Sequence, residues 1–193
     1  MASNTESVLA SLPDVFHYTE AVRRIGERPL RLLVASGAVV PLSGGVYRKD
    51  EALGDDDLIE IAARSARATL CLRTALEHHD LIDDIPTVID VAVPRGSWTP
   101  ATQARVQWHH FDARTFEIGR ETLQIPSGKI GLYSAERSII DAFRFRHREG
   151  TEMATEALKT WLRHGGQPST LLATAKAFPR TIAAVRSALE VLL

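Results

Sequence analysis

Cysteine is almost absent from this chain, since Cys71 is the only one among 193 residues. A single thiol excludes an internal disulfide framework and a zinc site built from several cysteines. Small domains often depend on one of these for stability. Leu70 and Leu72 flank this cysteine, and we therefore expect a buried and unreactive thiol.

Long hydrophobic runs are also missing. A helix that spans a bilayer needs about 20 apolar residues, and the longest run here, near residues 32–42, is interrupted by serine, glycine and proline. Residues 1–14 carry no basic segment, and their apolar stretch is too short for a secretory signal. We expect a cytoplasmic protein with no membrane partner.

The sequence has no excess of either charge. The formal net charge is −1 at pH 7, and residues 1–54 contain six basic and six acidic side chains. Neither value indicates a nucleic-acid-binding protein. Any positive surface must arise because the fold sorts cations onto one face.

The first fifty residues show a pattern of short helices followed by a hairpin. A first helix is expected at residues 3–12. Residues 18–26 and 28–37 each carry one apolar face and end in glycine, which predicts two further helices separated by a tight turn, with Thr19 as an N-cap. Helix, turn, helix and hairpin in this order are typical of a winged helix.

The hairpin is predicted around Ser43-Gly44-Gly45, because β-forming residues lie on both sides of it and Pro41 suits an edge strand. The alternative is a phosphate-binding loop, which requires a helix directly after the glycines. Here β-forming residues follow instead. The sequence therefore favours the hairpin.

Several cations occupy positions that contact DNA in a winged helix, where the second helix enters the major groove and the hairpin approaches the phosphates. Solvation of an ordinary polar face is the alternative explanation. The predicted DNA-binding residues are Arg23, Arg24, Arg28, Arg31, Tyr47, Arg48 and Lys49.

Beyond an acidic linker at residues 50–57, the pattern predicts an α+β fold. Helices are expected at 58–66 and 69–79, the second with an Arg73–Glu77 pair, and strands at 87–94, 104–111 and within 116–133. The remainder reads as helices, the first capped by Ser134. We predict two domains: a winged helix at 1–54, and an α+β domain at 55–193 whose small mixed or antiparallel sheet is backed by several helices.

Catalytic and metal-binding patterns receive no positive support. Asp141 interrupts an apolar run. It is either a buried carboxylate, satisfied by Arg137 one turn back or by a backbone amine elsewhere, or a catalytic acid. Without a paired acid at a diagnostic spacing, the structural role is favoured. The doublets His78-His79 and His109-His110 could share a metal only through long-range convergence, because adjacent side chains diverge. We expect no enzyme activity, no cofactor and no metal.

A basic segment in the C-terminal half allows three interpretations: a solvated helix face, a surface for an acidic protein, or a surface for nucleic acid. Its members are Arg137, Arg144, Arg146, His147 and Arg148.

Three stretches together resemble the AbiEi-type antitoxins of bacterial type IV toxin–antitoxin systems. They are "FHYTEAVRRIGERPLRLLVASGAVVPLSGGVYRK", "LCLRTALEHHDLIDDIPTVIDVAVP" and "IGLYSAERSIIDAFR". The last stretch is similar to the family's segment at Ser134, Glu136, Arg137 and Asp141.

This resemblance implies a non-enzymatic protein that binds inverted repeats in its own promoter through the winged helix and represses the operon. It also implies that the C-terminal domain opposes a nucleotidyltransferase-like toxin, directly or indirectly. The alternatives are a stand-alone regulator with a ligand-sensing C-terminal domain, a nuclease built around Asp141, and an adaptor that binds protein and not DNA.

Overall fold

The computed structural model describes residues 2–126 and 128–193, with side chains from Glu6 onward. Over these ranges the protein is α+β, with eleven helices and two sheets of three and five strands. Within the same residues, no helix combines the length and the apolar character that crossing a bilayer requires.

The helices follow one another in this order: α1 (Ala2–Ala10), α2 (Tyr18–Ile25), α3 (Glu27–Ala35), α4 (Asp56–Arg64), α5 (Leu72–His78), α6 (Ala113–Phe116), α7 (Ala135–Arg144), α8 (Arg146–Glu149), α9 (Thr151–Arg163), α10 (Pro168–Ala175) and α11 (Ile182–Leu192). The strands are β1 (Val15–His17), β2 (Val39–Pro41), β3 (Val46–Lys49), β4 (Thr69–Leu70), β5 (Ile89–Pro94), β6 (Val106–Phe111), β7 (Arg120–Ile125) and β8 (Gly128–Tyr133).

The chain forms two compact units. The first runs to Arg67 and includes two later segments, Trp98–Arg105 and Leu123–Ile130; the second contains the remaining residues. The buried carboxylate of Glu60 holds the first of these segments, because it accepts hydrogen bonds from the backbone N–H groups of Gln103 and Ala104. Helix α4 thus belongs to the first unit, and the domain boundary after residue 54 stays a prediction.

The first unit contains the predicted hairpin, which is confirmed. Strands β2 and β3 are antiparallel, and β1 adds to the other side of β3 to give the order β1-β3-β2. Pro41 lies on the edge strand as expected, since it lacks the N–H that a central strand would need. The sequence pattern missed β1 because three residues are too short to show a period.

The turn of the hairpin depends on its glycines. Gly44 and Gly45 have φ values of 59° and 76°, a region that side chains other than glycine rarely adopt. The N–H of Leu42 donates to the carbonyl of Val46 at 2.8 Å and closes the hairpin. No helix follows the glycines directly, so the turn is not of the phosphate-loop type.

Helices α2 and α3 pack on this sheet through the predicted apolar faces. Leu30 and Leu33 of α3 are buried with Ala21 of α2 and with Phe16 of β1. The expected N-cap of α2, Thr19, was wrong. The helix begins at Tyr18, because strand pairing holds the preceding residue in an extended conformation.

The five-stranded sheet, most of whose residues belong to the second unit, is mixed. Its strand order is β6-β5-β4-β8-β7, with β4 antiparallel to β5 and parallel to β8, and with β5 parallel to β6. The prediction of a helix from Thr69 was wrong, because Thr69 and Leu70 form the central strand β4. Pairing on both sides outweighs the local helical pattern.

Another correction concerns Arg73, for which a pair with Glu77 was expected. Its guanidinium instead donates to Asp84 Oδ2 at 2.9 Å and to Glu149 Oε2 at 3.3 Å. Both partners come from outside α5. Tertiary contacts have therefore replaced the local i,i+4 pair.

Helix α7 packs against α5, α9, α10 and α11 in the second unit. Two of its residues, Arg137 and Asp141, form a buried ion pair. The Arg137 Nε donates to Asp141 Oδ2 at 2.8 Å, and both side chains are fully buried. The Arg137 Nη1 also donates to the carbonyls of Thr115 and Ile118, at 2.7 and 2.6 Å. Of the alternatives considered for Asp141, the structural role with Arg137 as its partner is the one observed. Arg137 is thereby a core residue and no part of a basic surface.

Replacing Arg137 by methionine should lower the free energy of unfolding by about 3–5 kcal/mol, because the Asp141 charge would remain in the interior without its main partner. Urea denaturation followed by circular dichroism measures this change. Arg186 on α11 is exposed and provides the control, since Arg186→Met should cost less than about 0.5 kcal/mol. A loss below about 1 kcal/mol for Arg137→Met would contradict the role given to this pair.

Candidate nucleic-acid interface

The most accessible cations of the predicted set lie on α2 and α3. Arg23 on α2 and Arg28 on α3 are exposed and make no ion pair or side-chain hydrogen bond with the described residues. The Arg31 side chain is 78% exposed, and its Nη2 lies 2.5 Å from Glu27 Oε1. A surface ion pair of this kind is weak, so Arg31 can exchange its carboxylate for a phosphate at little cost.

Arg24 is more constrained than its neighbours on α2. Its Nη2 lies 2.8 Å from Glu20 Oε1, and its Nη1 donates to the carbonyl of Ser11 at 3.1 Å. These two partners, on α2 and just after α1, hold the guanidinium of Arg24 in place. Its charge is partly neutralised before any ligand approaches.

The hairpin residues are held by contacts within the unit. The side chains of Arg48 and Lys49 are each 16% exposed. Arg48 donates through Nε to Asp56 Oδ1 at 2.5 Å and through Nη2 to Asp56 Oδ2 at 3.2 Å. Lys49 Nζ lies 3.4 Å from Asp14 Oδ1. The predicted wing cations therefore already have carboxylate partners.

Tyr47 has a packing role in this structure. Its ring is half-buried and stacks on Phe16 with centroids 5.9 Å apart and the planes 8° from parallel. The ring of Tyr18 adds a tilted contact at 6.5 Å. This aromatic cluster fixes β3 to β1 and to the start of α2.

The sequence pattern missed two exposed residues on the same elements. Leu32 of α3 is 62% exposed, and Tyr18 of α2 is 39% exposed. A hydrogen bond to Glu27 raises the pKa of Tyr18. The position of Leu32 outside the Leu30–Leu33 apolar face could have predicted its exposure. On a helix in the major groove, an exposed apolar side chain can contact the methyl group of thymine.

Each histidine doublet has one exposed member and one that is enclosed, half-buried His79 in the first and buried His109 in the second. His79 Nε2 donates to the carbonyl of Tyr133 at 2.8 Å, and buried His109 donates through Nε2 to Asp90 Oδ1 at 2.7 Å. Their neighbours His78 and His110 are exposed. Across the described ranges, no three His, Cys, Asp or Glu side chains come together in a way that could hold a metal.

The remaining candidate groups are enclosed. Both carboxylate oxygens of Asp141 accept hydrogen bonds from arginines, at 2.8 Å from Arg137 and at 3.0 Å from Arg144. Cys71 is fully buried as predicted, and burial raises the pKa of its thiol well above the usual value. Neither group faces solvent in this structure.

Four of the five residues in the predicted C-terminal basic segment are partly or fully exposed, in contrast to Arg137. Three of them line a cavity of about 580 Å³ in the second unit: Arg144, Arg146 and His147. Two further arginines, Arg114 and Arg180, complete its basic lining.

No protein-family model matches this chain, and no curated protein matches it. Among solved structures, the chain is similar to the crystal structure of the RV2827C protein from Mycobacterium tuberculosis. The TM-score is 0.59 at 16% sequence identity, and the match covers 99% of this chain and 80% of that chain. At this identity the similarity demonstrates a shared fold and nothing more.

Proposed function

We propose that the protein is the antitoxin of a type IV toxin–antitoxin system, which represses its own operon by binding promoter DNA and neutralises a nucleotidyltransferase-like toxin. We further propose that α2, α3 and the β2–β3 hairpin act as a winged helix. The observation that carries the DNA-binding part is the exposure of Arg28, Arg31 and Leu32 on α3, opposite its buried face.

Two features of helix α3 support the proposal that it is a recognition helix. Leu30 and Leu33 anchor one face in the core, and Arg28 and Arg31 project from the exposed surface of its first turns. Arginine reads guanine edges in the major groove through two parallel hydrogen bonds. In our proposal, exposed Arg23 on the preceding helix contacts the phosphates beside the groove.

In our proposal the hairpin contributes less to DNA affinity than α3 does. Arg48 and Lys49 must release Asp56 and Asp14 before they can contact phosphate, and both side chains are largely enclosed. We still expect these cations to influence affinity more than sequence choice, because phosphate contacts carry no base information. Their contribution should be smaller than that of α3.

The antitoxin part of the proposal rests on the sequence resemblance. The resembling stretches at residues 70–94 and 130–144 include β5, α5 and α7, whose side chains supply much of the core of the second unit. These stretches therefore support the fold of an antitoxin-like domain.

Replacing Arg28 and Arg31 together by alanine should abolish binding to DNA taken from upstream of the coding sequence, because both charges leave the proposed recognition helix. Gel-shift titration at physiological salt measures the affinity, and circular dichroism checks the fold. The matched control is Arg163→Ala with Arg186→Ala, two exposed arginines of the second unit. Unchanged affinity for the α3 variant would refute the assignment.

The role of Arg48 can be separated from its ion pair with Asp56. If Arg48 contacts a phosphate, Arg48→Ala should reduce the slope of log affinity against log salt by about 0.9. Asp56→Asn removes the competing carboxylate and should leave affinity equal or higher. Equal weakening by both variants would mean that the pair acts only by holding the hairpin.

Expression of an adjacent nucleotidyltransferase-like gene should arrest growth, and co-expression of this protein should restore it. The Arg28→Ala/Arg31→Ala variant, expressed from an unrelated promoter, should rescue growth as well as the unmodified protein does, because toxin neutralisation is assigned to the second unit. Viable counts after induction measure the rescue. Failure of the unmodified protein to rescue would remove the antitoxin part and leave the DNA-binding part standing.

A second candidate function is a stand-alone transcriptional regulator whose second unit senses a ligand. The cavity of about 580 Å³ in that unit favours it. Absence of a nucleotidyltransferase-like gene beside this one, together with ligand-dependent DNA affinity, would select this function over the first.

A further inference from the structure

The cavity in the second unit brings together cations from three separate parts of the chain. Arg114 comes from α6, Arg144 and Arg146 come from the α7–α8 junction, and Arg180 comes from the connection between α10 and α11. His147 of α8 lies among them. Cations that converge from distant segments onto one concavity repel one another, and an anion would relieve that repulsion.

Two carboxylates offset part of this charge: Asp112 in the lining, and buried Asp141, which accepts a hydrogen bond from Arg144. Asp112 is the acidic member of the lining, and it is already engaged: Arg114 donates to it through Nε at 3.2 Å and through Nη2 at 2.9 Å. This interaction lowers the pKa of Asp112 to about 2. Within residues 2–126 and 128–193, His147 and Arg180 make no ion pair or side-chain hydrogen bond.

Arg144 is held in place before any ligand binds. Its guanidinium lies 4.9 Å from the ring centre of Phe111 and 5.0 Å from that of Phe145, and its Nη1 donates to buried Asp141 at 3.0 Å. Arg146 is fixed similarly, because its Nη1 donates to the carbonyl of Phe143 at 2.8 Å. Cations ordered in advance lose less conformational entropy on binding.

The size and chemistry of the cavity suit a small phosphorylated molecule. Its volume, about 580 Å³, is in the range of small-molecule sites. Guanidinium groups match the oxygen geometry of phosphate through paired hydrogen bonds. Ala177, Phe178 and Pro179 add an apolar edge for the uncharged part of a ligand.

We propose that this pocket, lined by Arg114, Arg144, Arg146, His147 and Arg180, binds a small molecule with two or more phosphate groups, such as a nucleoside di- or triphosphate. An acidic peptide fits less well, since carboxylates on an extended chain are spread along it, whereas these cations surround one concavity. The proposal concerns binding by the second unit, and it holds whether or not the protein binds DNA or opposes a toxin.

The test is isothermal titration of the full-length protein at low salt with ATP and, separately, with inorganic pyrophosphate. Both should bind at one site. Replacing Arg146 and Arg180 by glutamine should weaken both about tenfold or more, because each arginine lost removes a charge-assisted hydrogen bond. The control variant, Arg163→Gln with Arg186→Gln, loses the same charge from α9 and α11 and should bind both probes normally.

Thermal denaturation gives a second readout. Pyrophosphate should raise the melting temperature of the unmodified protein and of the control variant, and should raise that of the pocket variant much less, since only binding to the folded state stabilises it. Should the double variant fail to fold, Arg180→Gln alone carries the test, because Arg180 is exposed and makes no side-chain hydrogen bond or ion pair with the described residues.

Three results would overturn the proposal. One is the absence of binding by both probes at low millimolar concentration. Another is equal weakening in the pocket and control variants, which would mean general charge attraction. The third is displacement of bound ATP by a hexaglutamate peptide at a lower concentration than pyrophosphate needs to displace it. That result would identify the pocket as a site for acidic protein segments.

Discussion

The buried pair of Arg137 and Asp141 is the constraint on which the second unit depends. A charge in the interior is tolerated only with a partner and with its remaining hydrogen bonds satisfied. Arg137 meets most of that condition, because its Nε bonds to Asp141 and its Nη1 to two carbonyls outside α7. Its buried Nη2 has no hydrogen-bond partner among the described residues, and the guanidinium instead lies 4.2 Å from the ring centre of Tyr133 and 4.6 Å from that of Phe178. Residues from the sheet, from α7 and from the connecting segments must therefore pack around the Arg137 side chain.

The same pair links the core to the surface of that unit. Asp141 has two oxygens, and the second one accepts from Arg144, which lies at the edge of the basic cavity. The orientation of a surface cation is thus set by a carboxylate that solvent cannot reach. In the first unit the relation differs, because Arg28 and Arg31 lie on α3 with no buried partner, and their side chains keep the conformational freedom that the proposed DNA contacts require.

Sequence patterns predicted the secondary structure correctly where it depends only on residues close together in the chain. The apolar spacing of α3, the glycine turn of the hairpin and the Ser134 cap of α7 are each decided within a few residues, and all three are present. Thr69 and Leu70 were misread as helix because their strand exists only through β5 and β8. Strand β1 likewise depends on its partner β3.

The sequence by itself determined the α+β class, the approximate positions of α1–α4 and the hairpin, and it favoured the structural role of Asp141, because each follows from near neighbours along the chain. Tertiary structure alone decided which cations are available. Arg48 is bound to Asp56, Arg73 to Glu149, and Arg137 is enclosed by rings, whereas Arg114 and Arg180 meet the α7–α8 junction at one cavity. Charge pairing acts through space at a few ångströms, and sequence spacing does not encode which distant residues arrive there.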